Sequence, residues 1–238
     1  MASEDERAFA EDKKEGEVLP GHRGAKYRLA LLLLDGKDGL ERDPKRAASL
    51  LESCAIEGEH PEAYYQLALC YLNGCGVERN PARGFELLHT AAVKDVAIAQ
   101  YMCGRMRFLG EEGMEAGPVL ARSFLLRAAH QGINSSHYFL GQICQYGLGM
   151  EKDMAGAIEH YEAGAEGGDA SCLFELAALD LTGEEEGIIE EDHRTAFELF
   201  REAAELGHAE VRYETKKSKL SSSLTQCLSL QRPQVRLG

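Results

Sequence analysis

The chain has 238 residues, and its hydrophobic fraction of 44% is sufficient to fill a core. Its longest uninterrupted apolar run, residues 29–34, is far shorter than the roughly 20 residues that cross a bilayer. Forty acidic residues against 26 Lys and Arg give a formal charge of -14, which disfavours nucleic acid and anionic lipid as partners. We therefore expect a protein that neither inserts into membranes nor binds nucleic acid.

The N-terminal residues 1–24 form a polar, acidic lead-in. This segment lacks the apolar core of a secretory signal and the Arg-rich, acid-poor character of a transit peptide, so we expect a cytoplasmic protein. Ser3 and Glu6 have the spacing of a capping box, and residues 3–15 could form one helix. The seven cysteines are an odd number without a CxxC pair, which disfavours both a complete disulfide framework and a zinc site.

A repeated 12-residue block begins at Ala25 and recurs at intervals of 38, 36, 37 and 36 residues. In every copy position 1 is small, position 3 is aromatic, position 6 is Ala or Gly, and position 12 is Gly. The five copies are residues 25–36, 63–74, 99–110, 136–147 and 172–183. Their regular spacing predicts a repeat protein.

A second block with apolar residues at helical spacing follows each first block, at residues 47–58, 84–95, 121–132, 157–168 and 196–207. Four of the five end in Gly, which favours a left-handed helix end. Helix-capping signals precede these blocks at Asp43-Pro44, Asn80-Pro81, Gly117-Pro118, Asp153 and Asp192.

Stacked helix pairs bury apolar faces that one pair alone cannot bury, so the pattern predicts an all-α fold, an α-solenoid of five helix-turn-helix repeats. The predicted repeats are residues 25–62, 63–98, 99–135, 136–171 and 172–210. A capping helix is expected to begin before residue 214. The basic, Ser-rich tail, residues 215–238, is expected to be disordered.

Residues 25–214 resemble the SEL-one-like repeat (SLR) family, a relative of the tetratricopeptide repeat. The resemblance is clearest in AYYQLALCYLNGCGVERNPARGFELLHTAA, from Ala63, and YFLGQICQYGLGMEKDMAGAIEHYEAGAEGG, from Tyr138. It implies a right-handed superhelix and a role as a scaffold or adaptor. Some relatives carry a disulfide in each repeat. The scattered cysteines here are typical of a reduced intracellular member.

The motifs that could support catalysis have simpler structural interpretations. The glycines of Gly74-Cys75-Gly76 and Gly147-Leu148-Gly149 follow helices and are interpreted as turn glycines rather than phosphate loops. The histidines, with His89, His130 and His160 in different registers of second helices, lack metal-binding spacing, and the acidic run 184–192 is interpreted as a solvated loop. Five cysteines, Cys54, Cys70, Cys103, Cys144 and Cys172, occupy positions typical of buried free thiols. We therefore predict no catalytic residue, no metal and no cofactor.

The candidate functional surface lies on the first helices. At 100° per residue, positions 1, 5, 8, 9 and 12 are expected to point into the stack, and positions 3, 4, 7, 10 and 11 to line a concave groove. The predicted groove residues are Tyr27, Arg28 and Leu31; Tyr65, Gln66 and Leu69; Tyr101, Met102 and Arg105; Tyr138, Phe139 and Gln142; and Phe174 and Glu175. The aromatic residues fit either peptide binding or packing against their neighbours.

The leading functional hypothesis is a non-enzymatic scaffold or adaptor that binds a peptide or a partner domain in this groove. One alternative is a hydrolase or redox-active assembly factor, which would require a convergent nucleophile, base and oxyanion donor. Another is that the chain is a fragment or subunit of a larger signalling or protein quality-control complex.

Overall fold

The computed structural model describes residues 23–37, 39–56, 60–111, 117–182 and 193–207. Several sequence predictions lie outside these residues. They are the lead-in helix with its Ser3 and Glu6 capping box, the acidic run 184–192 with the helix cap at Asp192, the start of a capping helix before residue 214, and the C-terminal tail.

The described part of the chain forms ten α-helices of 12 or 13 residues each. They are α1 (Arg23–Asp35), α2 (Pro44–Ile56), α3 (Pro61–Asn73), α4 (Pro81–Val93), α5 (Ala97–Leu109), α6 (Pro118–His130), α7 (Ser135–Tyr146), α8 (Met154–Glu166), α9 (Ala170–Thr182) and α10 (His193–Glu205). The helices follow one another as five pairs, and the predicted all-α helical repeat solenoid is confirmed.

The chain divides into two compact units. Of the described residues, those up to Met106 and Glu111 belong to the first unit, and residues 107–110 and those from 117 onward belong to the second. In the first unit α2 packs on both α1 and α3, and α3 packs on α4. In the second unit each helix from α6 to α10 packs on the next, and α7 also contacts α9. Helices thus contact those close to them in sequence, which is the contact pattern of a repeat array.

Small residues at position 6 allow the two helices of a repeat to approach closely. This position is buried in all five first helices, as Ala30, Ala68, Gly104, Gly141 and Ala177. In the fourth repeat a Cβ added to Gly141 would lie 2.3 Å from Cε1 of Tyr161, whose ring is fully buried in α8. Position 6 is therefore a core position, although the predicted stack-facing set does not include it.

The inward-facing positions are confirmed in part. Positions 1, 5 and 8 are buried in the second, third and fourth repeats, for example Ala63, Leu67 and Cys70. Position 9 is buried in only two repeats and half-buried in the other three, so the prediction that it points into the stack holds for a minority. A single helical wheel misplaces it because first helices such as α3 and α7 contact more than one neighbour, so that their buried side is wider than one face of the wheel.

Four of the second helices begin directly after the predicted cap positions Asp43, Asn80, Gly117 and Asp153. The side-chain oxygen accepts a backbone N–H three residues later at 3.0 Å for Asp43, 3.0 Å for Asn80 and 2.9 Å for Asp153. Asp43 and Asn80 are each followed by a proline at the first helical position, where the missing N–H costs nothing. Local sequence therefore defines these helix starts.

The helix ends depend on left-handed backbone. The position-12 glycines Gly36, Gly74, Gly110 and Gly147 have φ between 62° and 70°, a region that favours glycine. The second helix of the second repeat differs, because Asp95 adopts φ 72° where other repeats have Gly. Its carboxylate accepts a hydrogen bond of 2.8 Å from the buried Gln100 side chain, which stabilises this uncommon backbone.

Candidate functional site

In the first unit, predicted groove residues from consecutive repeats contact each other. The Tyr27 side chain of α1 is hydrogen-bonded to Gln66 of α3, and both side chains are half-buried. The Tyr27 ring also stacks on His60, with ring centroids 4.7 Å apart. Burial, followed by the negative charge of Glu62, raises the pKa of the Tyr27 hydroxyl. Tyr27 of the first repeat and Gln66 of the second therefore lie next to each other.

The other groove residues of this unit differ in exposure. Arg28 is exposed, whereas Tyr65, Tyr101 and Arg105 are half-buried, as are the predicted apolar members Leu31, Leu69 and Met102. Burial raises the pKa of the Tyr65 hydroxyl. The guanidinium of Arg105 lies 3.0 Å from the Glu111 carboxylate. Arg28 is consequently the most accessible cationic member of the predicted set in this unit.

In the second unit, the fourth repeat contributes a polar pair and a buried ring. The Gln142 side-chain amide donates a 2.8 Å hydrogen bond to the Tyr138 hydroxyl, and both residues are half-buried. Phe139 is only 8% exposed and packs edge-on against Phe108, with ring centroids 5.3 Å apart. The structure therefore places Phe139 in the packed interior, because its ring fills space between neighbouring first-helix side chains.

The fifth repeat offers a packed ring and a half-buried acid. The Phe174 ring lies edge-on to Phe200 of the paired helix α10, with centroids 5.4 Å apart. Glu175 is half-buried, and its charge contributes to the raised pKa of the Tyr161 hydroxyl, after burial as the main cause. For Phe174 the packing interpretation of the position-3 aromatic holds, since its ring closes the core of its own helix pair.

The two glycine-containing turns pack on the preceding repeat. A Cβ on Gly76 would lie 2.0 Å from the Pro44 carbonyl oxygen at the start of α2. A Cβ on Gly149 would lie 2.7 Å from a methyl carbon of Val119 at the start of α6. These turns thus use glycine for close packing between repeats, and their interpretation as turn glycines is supported.

The thiols are arranged for packing. Cys54, Cys70, Cys103, Cys144 and Cys172 are buried and form no disulfide, as predicted. Burial raises the pKa of the Cys70 thiol to about 11 and also raises the pKa of Cys144 and Cys172. A thiol with a raised pKa is a poor nucleophile at neutral pH, since the thiolate is the reactive form. Among the described residues, no group of three or more His, Cys, Asp or Glu side chains could hold a metal ion.

The structure brings together two histidine side chains whose contact the sequence did not predict. His137 on α7 and His160 on α8 bring their Nδ1 atoms within 3.2 Å of each other. Comparing only the histidines of second helices does not reveal this contact, because His137 lies on a first helix. The two histidines are 23 residues apart in sequence and come into contact only because the two helices of the fourth repeat pack against each other.

These features define a helical repeat protein built of two-helix units. The Sel1 repeat is matched five times, at residues 24–58, 61–92, 97–133, 134–169 and 170–208. The chain therefore belongs to the Sel1 repeat family, whose members are typically protein-interaction modules and are generally non-catalytic. None of the helices described here is long and apolar enough to span a membrane.

Solved structures agree with this assignment. The chain is similar to a protective antigen of uropathogenic Escherichia coli strains that displays an SLR fold, with 26% identity and a TM-score of 0.73 over 80% of this chain and 40% of that one. This chain thus spans well under half of the Escherichia coli protein. A Sel1 repeat protein from Oxalobacter formigenes, at 24% identity, gives a TM-score of 0.73 over 89% of this chain and 86% of that chain, and shares the fold. No curated protein is significantly similar in sequence.

Proposed function

We propose that the chain is a non-enzymatic scaffold or adaptor whose first-helix surface, expected from the sequence to form a concave groove, binds an extended peptide or a partner domain. The observation that supports this proposal is the packing of Tyr27 of the first repeat, whose ring stacks on His60 at a centroid distance of 4.7 Å, beside Gln66 of the second repeat. Hydrogen-bonding groups attached to aromatic rings suit peptide recognition, since the rings supply contact area and the polar atoms supply direction.

The residues at positions 4 and 7 are proposed to determine which partner is bound. Arg28, Gln66, Arg105, Gln142 and Glu175 differ in charge and polarity from repeat to repeat, and all five have accessible surface. The position-3 aromatics would provide the common contact surface. The cytoplasmic location expected from the sequence stays a prediction.

Selection from a displayed random-peptide library on the immobilised full chain tests the proposal. Selected peptides should lose at least tenfold in affinity for a variant in which Arg28, Gln66, Arg105 and Gln142 are all replaced by Ala. The matched control carries four exposed second-helix substitutions, at Lys45, Arg83, Arg127 and Glu162. The control should keep its affinity, and both variants should keep their helical circular dichroism.

Peptides that bind the fourfold variant as tightly as the parent would place recognition elsewhere on the chain. Truncation after Glu214 then distinguishes the basic tail, because its five positive charges would give a contact that weakens with added salt. If the groove is the binding site, the truncated chain should bind the selected peptides as tightly as the full chain.

A further inference from the structure

The His137–His160 contact connects the two helices of the fourth repeat. Their Nδ1 atoms are 3.2 Å apart, their ring centroids are 5.4 Å apart, and their planes are inclined by 45°. Both side chains are half-buried. When one Nδ1 carries a proton and the other does not, the first donates a hydrogen bond to the second. The geometry therefore accommodates one proton between the two nitrogens.

The helices around this pair are packed closely. Gly164 follows His160 by one turn of α8, and a Cβ at Gly164 would lie 3.1 Å from Cβ of His137. The same Cβ would lie 2.3 Å from the Cys172 sulfur at the start of α9. Tight packing of α7, α8 and α9 beside the rings limits how far the imidazoles can separate without moving a helix.

Charged groups from each adjoining element act on the pair. His130 and Arg122 lie on α6. Asp153 lies in the turn before α8, Glu159 lies on α8 itself, and Asp169 lies just before α9. The carboxylates favour protonated imidazoles and the cations oppose them. Asp169 already accepts hydrogen bonds from the Ser135 hydroxyl and from two backbone N–H groups of α9, so much of its capacity is engaged.

Burial outweighs the carboxylates at both rings. It is the main cause of the lowered pKa of His137, which Asp169 opposes. Burial also lowers the pKa of His160, and the nearby His137 and Arg122 act in the same direction. The two imidazoles therefore bind protons less readily in the folded fourth repeat than in the unfolded chain.

We propose that the His137–His160 pair is an acid-sensitive contact that holds α7 against α8 and is broken when both imidazoles carry a proton. Double protonation would place two N–H groups and two positive charges face to face at this short separation. Unfolded imidazoles bind protons near pH 6.5. Because the unfolded chain then binds more protons than the folded one, stability falls as the pH drops below about 6.5. This device is independent of the proposed peptide binding.

Thermal unfolding of the full chain at pH 7.5, 6.5 and 5.5, followed by circular dichroism, tests the contact. His160→Asn and, separately, His137→Asn keep a polar neutral group and remove one titrating ring. His89→Asn on α4 is the matched control, since His89 lies in the other unit. Between pH 7.5 and 5.5 the parent and the control should each lose about 3–5 °C more in melting temperature than the two test variants.

Histidine ring NMR on the unmodified chain gives a second readout that needs no variant. One ring of the pair should take up a proton first, and the second should stay neutral to clearly lower pH, as coupled sites do. Two independent titrations near pH 6.5 would overturn the proposal, and so would equal acid-induced losses of melting temperature in all four proteins. If a variant fails to fold at pH 7.5, the NMR titration of the parent decides.

Discussion

Replacing Gly141 by Ala tests the close packing of α7 against α8. The new Cβ would lie 2.3, 2.6 and 2.7 Å from three ring carbons of Tyr161. This ring is fully buried, and its hydroxyl donates a 2.7 Å hydrogen bond to Gln145. The ring cannot move aside without straining α8 or breaking that bond.

The two contributions to the free energy of unfolding have opposite signs. In an open helix, Gly to Ala would stabilise by about 1 kcal/mol. Overpacking costs about 1–3 kcal/mol, and weakening the Tyr161 hydrogen bond adds about 0.5–1.5 kcal/mol. We therefore expect a net loss of about 0.5–3.5 kcal/mol in Gly141→Ala, or about 1–14 °C in melting temperature.

Urea unfolding monitored by circular dichroism measures this change. Gly24→Ala in α1 is the control, because a Cβ there has nothing within 4 Å, and it should be neutral or stabilising by up to about 1 kcal/mol. In a Tyr161→Leu background, Gly141→Ala should lose most of its cost, which gives a coupling of about 1–3 kcal/mol. The same loss in both backgrounds, or a gain equal to that of Gly24→Ala, would refute the packing explanation.

Three further predictions concern the core, the caps and the thiols. Leu140→Ala should lower the free energy of unfolding in urea by about 2–5 kcal/mol because Leu140 is fully buried. Gln142→Ala should lower it by no more than about 1 kcal/mol. Equal losses in the two variants would mean that the helical faces are misassigned. Asp153→Ala should cost about 1 kcal/mol through the lost cap, and Asp153→Asn much less, by the same measurement. At pH 8 the half-buried Cys75 should react with iodoacetamide well before Cys70, whose thiol pKa is raised to about 11. Mass spectrometry measures the two rates, and equal rates in the folded chain would contradict this prediction.

The repeat organisation could be predicted because its signals are local. A cap such as Asn80-Pro81 starts a helix and a glycine such as Gly74 ends one, and neither needs information from distant residues. The burial of the five cysteines was predictable for a similar reason, since other repeats carry small or apolar residues at the same positions. These features depend on the backbone of one segment or on comparison between repeats.

Other features depend on which helices become neighbours. The requirement for a small residue at Gly141 arises from Tyr161, which lies on a different helix. Phe139 has the helical position of a groove residue, yet Phe108 covers it and it is buried. Asp95 adopts a backbone conformation typical of glycine, and its stabilising contact with Gln100 crosses from one repeat to the next. The periodicity of the sequence does not predict these contacts, because it does not say which helices pack against each other.

The groove prediction leads to a sharper test at Tyr138 and Gln142, because their side chains already bond to each other. A partner that uses the Gln142 amide must first break this 2.8 Å hydrogen bond. Tyr138→Phe removes the competing hydroxyl and keeps the ring, so it should tighten binding of a selected peptide by up to about fivefold, equivalent to a hydrogen bond of about 1 kcal/mol. Gln142→Ala should weaken binding of the same peptide, and calorimetric titration can measure both changes. If Tyr138→Phe and Gln142→Ala weaken binding equally, the intact Tyr138–Gln142 pair is what the partner recognises, and competition for the amide is the wrong mechanism.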